Sequence, residues 1–284
     1  MKTGLIMEGR AMRGMFTAGV IDVLMEAGVC FDGAIGVSAG AVFGCNYKSR
    51  QIGRVIRYNT TYCQDPRYVS FRSLLRTGDI YGEEFCYHEL PDRLDPFDVK
   101  TYEENPIDFY VVCTDVETGK PVYHNCLKGD AEDIQWMRAS ASMPALSRFV
   151  NLDGHMLSDG GTADSIPVRF FESIGYERNV VILTQPEGYV KKPNQLLPLL
   201  RILLRKNPAL IQALENRHER YNETIAYIKK QELSGNLLVI RPEAALNIGA
   251  VERHPEELER VYQLGRNEGE KRLAEVEEFL ADKP

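Results

Sequence analysis

"DGAIGVSAGAVFG", residues 32–44, decides how the chain is read. An apolar run ends at Val37, Ser38 follows between Gly36 and Gly40, and small residues continue to Gly44. At glycine and serine frequencies of about 7%, a G-x-S-x-G pattern arises by chance in roughly one chain in ten of this length. It carries chemistry when a strand precedes it and a helix follows, because the serine then sits on a sharp turn with its hydroxyl exposed. Both flanks fit here. The residues up to Val37 read as a short strand, and those from Ala39 as a small-residue helix whose N-terminus favours negative charge near the Ser38 oxygen.

Upstream, Gly4 to Met7 predict a buried strand and "EGRAMRG" (residues 8–14) a loop. Arg13 to Ala27 predict a helix, with Met15, Val20, Leu24 and Met25 at helical spacing and Gly28 as its stop. The first fifty residues therefore read β-loop-α-β-turn-α, the pattern of a parallel sheet with crossover helices. Downstream, residues 62–104 read as loops and short helices bordering a cleft. Ile107 to Val116 give the clearest strand, which "ETGK" turns back into the hairpin strand "PVYHN". In that turn Asp115 is read as a turn residue. A helix enters at Asp130 and stops before Pro144. A second hairpin turns at Asp153-Gly154 and ends in "SDGG", and Val180 to Gln185 form another buried strand.

After Pro193 a helical stretch is broken by Pro198 and Pro208, followed by a strand at residues 236–241 expected to join the main sheet. The chain closes with an amphipathic helix, Leu258, Val261, Leu264, Leu273, Val276 and Leu280 falling near one face. The predicted organisation is an α/β domain over residues 1–190, with a central mostly parallel sheet flanked by helices, and a mainly helical region over residues 191–284.

The 284 residues are 44% hydrophobic and 26% charged, as in an ordinary soluble globular chain. A net charge of −7 argues against nucleic-acid binding. The first apolar run is interrupted by Glu8, Arg10 and Arg13, so no signal peptide is read there. The longest apolar stretch, "LLPLLRILL", contains Arg201 and is too short to span a membrane. Six cysteines without C-x-x-C spacing read as reduced thiols, and a cytoplasmic location is expected. Without H-x-x-H or D-x-D-x-D clusters, neither a metal nor a cofactor is expected.

Three glycine-bearing loops, "EGRAMRG", "GVSAG" and "SDGG", thus fall at predicted strand ends, where open α/β sheets collect ligands. A serine hydroxyl needs a base to become a nucleophile. None of His88, His124, His155, His218 and His254 lies in a loop suited to a triad. Asp159, on a tight glycine turn, offers another base, although Asp-Gly alone is a common turn dipeptide. The first loop runs from a strand end into a helix start. Its successive backbone N–H groups can face one oxyanion, each donor worth about 3 kcal/mol in acyl transfer, or the loop can bind a phosphate or simply connect two elements.

In order and spacing these motifs resemble those of the patatin-like phospholipase family, specifically its bacterial cytosolic branch. That family's motifs read D/E-G-G-G-x-R/K-G, G-x-S-x-G and D-G-G or D-G-A. "ASASMPALSRF" (139–149) and "IGAVERHPEELERVYQLG" (248–265) extend the resemblance over most of the chain. It implies a three-layer patatin-like fold and hydrolysis of a lipid or other acyl ester by a Ser38–Asp159 dyad without histidine. It also implies an acyl-serine intermediate, water activated by Asp159, and an oxyanion held at Gly9, Arg10 and Ala11. Arg13, Gly14, Gly36, Gly40, Gly160 and Gly161 match supporting motif positions, Arg13 as an anchor of the loop. The chain departs from the family where Gly9-Arg10-Ala11 replaces three glycines. Side chains there disfavour positive φ, and Arg10 places a cation at the cleft mouth, to engage a phosphate headgroup or to plug the site.

Three alternatives stay open. Gly9-x-Ala11-x-x-Gly14 with Asp32 is the outline of a dinucleotide site. Ser38 and Asp159 with His218 or His254 follow the chain order of an α/β-hydrolase triad. The altered first loop also suits a lipid sensor without turnover. Finally, "KKPNQLLPLLRILLRK" (191–206) joins apolar residues to Lys191, Lys192, Arg201, Arg205 and Lys206, the composition of a helix making transient membrane-surface contact. The plainer reading is a helix packed on the core with snorkelling cations at its rim.

Overall fold

The computed structural model describes residues 1–281. Its strands are β1 (Lys2–Met7), β2 (Gly33–Val37), β3 (Asp108–Asp115), β4 (Pro121–Asn125), β5 (Val150–Leu152), β6 (His155–Asp159), β7 (Tyr176–Ile182) and β8 (Leu237–Ile240). All eight belong to one sheet. Strands β8, β7, β1, β2 and β3 pair in parallel in that order, and β4, β5 and β6 join antiparallel. The late strand expected at residues 236–241 is β8, paired with β7.

Alternation along the parallel strands builds two cores, because successive side chains point to opposite faces. Leu5 and Met7, Phe109 and Val111, and Val180 and Ile182 enter one cluster, whereas Ile6, Val112 and Val181 enter the other. The first cluster is covered by α1 (Gly14–Glu26), α2 (Ala39–Lys48), α3 (Arg54–Tyr62), α4 (Phe71–Thr77), α5 (Val99–Glu104) and α6 (Ala131–Ser140). The second is covered by α7 (Val168–Ser173) and, after α8 (Leu197–Leu203) and α9 (Pro208–Glu215), by α10 (Arg217–Leu233). The closing helix α11 (Pro255–Ala281) returns to the first face and packs along α1. The two helices touch backbone to backbone: a Cβ on Gly265 would lie 2.0 Å from the Phe16 carbonyl oxygen.

Three details differ from the sequence reading. Pro198 and Pro208 open α8 and α9 instead of breaking a helix, since a first-turn N–H needs no intrahelical acceptor. Leu264 is exposed, because the contact row of α11 runs through Leu258, Val261, Tyr262, Gly265 and Gly269. The stretch over residues 62–104 contains a π-helix, Phe85–Leu94, around Pro91.

The register of β3 positions the site. Val112 pairs with Val37 of β2 and Tyr123 of β4, and the next residue, Cys113, pairs with Asp159 of β6 and Val122 of β4. With β4 on one flank, β2 and β6 share the other, and their C-terminal ends meet head to head at Val112–Cys113. The residue after β2 is Ser38.

Candidate active site

Ser38 adopts φ 53° and ψ −117°, a conformation that costs an L-residue about 1–3 kcal/mol. Its surroundings hold it there. The Ser38 N–H donates to Ser140 Oγ at 2.9 Å, and that hydroxyl donates to the Val112 carbonyl at 2.6 Å. The Ser38 carbonyl accepts from Ala41 N and Val42 N as α2 begins. Gly36 and Gly40 close the turn: a Cβ on Gly36 would lie 2.1 Å from the Gly40 carbonyl oxygen.

Opposite stands Asp159, buried at the end of β6. Its Oδ1 accepts from Gly161 N at 2.8 Å, and Ser38 is among the groups that act on the carboxyl. Burial raises the Asp159 pKa, and Arg217, Ser38, the Gly161 amide and Arg10 pull it back. Gly160 lies against the Val112 carbonyl, and Gly161 lies between Asp159 and Arg217.

The first loop touches the same point. A Cβ on Gly9 would lie 2.0 Å from the Val37 carbonyl oxygen and 2.9 Å from Ser38 Cβ, so only glycine lets the loop pass. Ala11 takes φ 45°, at a cost of about 1–2 kcal/mol, whereas Arg10 at φ −159° is merely extended. The loss of family glycines therefore strains one residue, not two. Among the described residues, no protein acceptor engages the amides of Gly9, Arg10 or Ala11. Arg13 N closes the turn onto the Arg10 carbonyl at 3.1 Å, and Gly14 packs against Ala39 and Phe43. The Arg13 guanidinium makes no hydrogen bond or ion pair among the described residues, and its Nη1 is buried. It does not tether the loop by a polar contact.

On the α2 side, Ser38 opens into an apolar pocket lined by Val42, Phe43, Tyr58, Tyr68, Leu90 and Met137. Tyr68 and Leu90 come from the irregular stretch expected to border a cleft. On the α10 side the wall is cationic, and sequence reasoning missed it. Lys191 is 8% exposed, its Nζ 4.7 Å from the centre of the Tyr221 ring. Arg217 faces Asp159, and buried Glu8 accepts from Tyr221 Oη at 2.8 Å and from Thr184 N and Oγ1. Neither "KKP" nor "ENRHER" carries a periodic or spacing signal for these positions.

The remaining candidates lie elsewhere. His155 pairs with Asp115, His218 with the Glu215 carbonyl and His254 with Glu252, and no histidine is among the groups facing Asp159. Asp115 also accepts from Glu117 N and Thr118 N, the turn role expected of it. Asp32 precedes β2 and binds Thr3 at the opposite end of the sheet from Ser38, where no ribose could reach both it and the glycine loop. His124, Cys126 and Asp133 offer metal-ligating atoms within 4.8 Å of one another. There Asp133 Oδ2 already accepts from Lys128 N and Gly129 N, and burial raises the Cys126 thiol pKa. No described helix is long and apolar enough to cross a membrane.

A patatin-like phospholipase family model matches residues 5–171, more than half of the chain, and a domain of unknown function, DUF6363, matches residues 207–281. An uncharacterized Escherichia coli protein, YjjU, is 28% identical over 99% of this chain and 80% of its own length. The uncharacterized NTE family protein Rv1063c of Mycobacterium tuberculosis is 24% identical over 64% of the chain. A lysophospholipase, nte1, of Aspergillus oryzae is 26% identical over 61% of it. The match spans about half of Rv1063c and 11% of nte1. Among solved structures, VipD from Legionella pneumophila aligns over 96% of this chain and 67% of its own, at TM-score 0.46 and 14% identity.

Proposed function

Because the chain belongs to the patatin-like phospholipase family, we propose that it hydrolyses carboxylic esters of lipids with Ser38 as nucleophile and Asp159 as the sole proton carrier. The observation that supports this most is the head-to-head meeting of β2 and β6, which sets the Ser38 hydroxyl against a buried carboxylate with no histidine between them. As Ser38 Oγ bonds to the acyl carbon, its proton passes to Asp159. The amides of Gly9, Arg10 and Ala11 receive the oxyanion. When the intermediate collapses, the ester C–O bond breaks and Asp159 protonates the departing alkoxide. Water then gives a proton to Asp159 and its oxygen to the acyl-serine. Ser38 Oγ leaves, recovers that proton, and frees the carboxylic acid. Burial makes Asp159 a stronger base than an exposed carboxylate, and Arg217 favours its ionised form. The apolar pocket takes the acyl chain.

A fluorophosphonate probe should label the full chain at Ser38, and Ser38→Ala should remove both labelling and esterase activity. Well-folded protein that is neither labelled nor active would instead be a lipid sensor without turnover.

We also propose a cytoplasmic protein that meets lipid surfaces through α8. Leu200 and Leu204 anchor this helix in the core, while Leu196, Leu199, Ile202 and Leu203 are exposed beside Lys192, Arg205 and Lys206. Partial insertion of those side chains and attraction of the cations to anionic headgroups favour binding. Co-sedimentation with phosphatidylserine vesicles at low salt should fall about tenfold in a Leu199→Asp, Ile202→Asp double variant, given about 0.8 kcal/mol per buried CH₂. Equal sedimentation of the two proteins would remove α8 as the contact.

A further inference from the structure

Of the four cations around the first loop, ester cleavage accounts only for Arg217, through its effect on Asp159. Arg217 opens α10, and Tyr221 lies one turn later on the same face. The Tyr221 ring carries Lys191 Nζ on its face, and its hydroxyl holds Glu8, two residues before Arg10. Arg217 Nη2 reaches to 2.9 Å from where a Gly161 Cβ would stand, and Arg10 and Arg217 both face Asp159. Lys191, Arg10, Arg13 and Arg217 thus surround the mouth of one site.

Among the described residues these cations outnumber the carboxylates beside them. Arg10 Nη1, Arg13 Nη1 and Arg217 Nε are buried with no acceptor. Among the described residues, none of the four side chains forms an ion pair within 4.0 Å. Glu8 and Asp159 are the carboxylates facing the group, and Glu8 is already committed to three donors. Four cations against two carboxylates leave two positive charges. A buried cation without a partner costs several kcal/mol, so the arrangement suits an anion that arrives from outside.

We propose that Arg10, Lys191 and Arg217, with Arg13 behind them, form a subsite for a phosphate monoester dianion, so that the preferred substrate is an acyl ester whose alcohol portion ends in a phosphate monoester. This rests on the reading of Ser38 as nucleophile. The sidedness fits. The apolar pocket belongs to the α2–α6 face, whereas α10 covers the opposite face, so chain and phosphate extend from Ser38 in different directions. Arg217 also lines a cavity with Thr162, whose Oγ1 is another buried atom without a partner. None of Arg10, Lys191 and Arg217 belongs to the family's motif pattern: Arg10 replaces a glycine, and the other two lie beyond residue 171. The pattern of proton affinities agrees, since burial and then Arg217 and Arg10 hold the Lys191 pKa down to about 7, which an incoming dianion would reverse.

Two measurements on the full chain test this. In calorimetry, the Ser38→Ala protein should bind glycerol 3-phosphate and inorganic phosphate one to one, and adding Lys191→Met should weaken both at least about tenfold, the loss of one charge-assisted contact. In kinetics, kcat/KM for a short-chain monoacylglycerol 3-phosphate should exceed that for the matching monoacylglycerol, and Lys191→Met should lower this ratio at least about tenfold. Should Lys191→Met fail to fold by thermal melting, Arg10→Ala is read in the same two assays. Absence of phosphate and glycerol 3-phosphate binding overturns the subsite. Binding of phosphate with an unchanged substrate ratio overturns the substrate assignment and leaves a site for free phosphate. Loss of all esterase activity in the unmodified chain rejects the nucleophile reading, and calorimetry still decides the subsite.

Discussion

On the α2 side of Ser38, the buried arginines Arg54 and Arg138, and the exposed Arg57 and Arg148 beside them, meet their own carboxylates. Arg54 and Arg57 share Asp95, at 3.4 and 2.8 Å, and Arg138 and Arg148 both contact Glu83, at 2.6 and 2.7 Å. On the α10 side, Arg10, Arg13, Lys191 and Arg217 form no ion pair among the described residues. One chain therefore treats buried positive charge in two ways. Where the cation is internally matched it frames the apolar pocket as fixed scaffold. Where it is unmatched, the desolvation it has suffered remains available to a ligand, which would supply the missing charge.

The largest expected effect lies where the two regions meet. Asp159→Asn keeps the shape and removes the base, so kcat on a p-nitrophenyl ester should fall about 10⁴-fold, as for loss of a base-supporting carboxylate in other serine hydrolases. Activity within tenfold of the parent chain would mean that another group takes the Ser38 proton. In the unmodified chain, kcat should rise with pH through a midpoint above that of an exposed aspartate, since burial raises the Asp159 pKa and only the ionised form accepts the proton. A rate flat between pH 4 and 7 would contradict this.

Next comes the matched region. Asp95→Ala leaves the 4%-exposed Arg54 buried without its carboxylate and should destabilise the fold by about 3 kcal/mol in urea unfolding. A loss below about 1 kcal/mol would show that these pairs do not stabilise the pocket wall.

The contrast also separates what the chain announces from what only folding reveals. The Ser38 turn is local: its strand, glycines and helix lie within one unbroken stretch, Gly33 to Lys48. Asp159 is legible because a hairpin ending in Asp-Gly-Gly is itself a short-range pattern. The short apolar runs that become β1, β2 and β3 are legible for the same reason. Lys191 and Arg217 carry no such mark. In sequence Lys191 belongs to a basic, apolar stretch whose cations are expected at a solvated rim, and its burial against Tyr221 depends on α10 crossing the second face of the sheet. In α8, Leu196, Leu199, Ile202 and Leu203 fall in a stretch whose plainer reading is a helix packed on the core, and they are exposed. Periodicity reports that a helix has faces; which face meets protein is a tertiary fact. The φ 45° of Ala11 escaped for a related reason, since the loop is held in shape by Val37 and Ser38 pressed against Gly9.

The smallest effect tests the unmatched region without any ligand. Lys191→Met replaces a buried cation by an apolar side chain of similar length, and should stabilise the fold by about 2 kcal/mol at pH 7, even after losing the contact with Tyr221. Its pH dependence identifies the cause. Unfolded, Lys191 stays protonated up to about pH 10.4; folded, it faces Arg217, Arg10, Arg13, Glu8 and Tyr221 and gives up its proton near 7. Between those values the unfolded chain binds more protons, so the parent protein gains stability as pH rises. The variant lacks that slope. Its advantage should therefore be full at pH 6.5 to 7 and shrink steadily toward pH 10, read as converging urea midpoints. Midpoints that stay parallel across this range would mean that the stabilisation comes from packing alone, and that Lys191 does not bury an uncompensated charge.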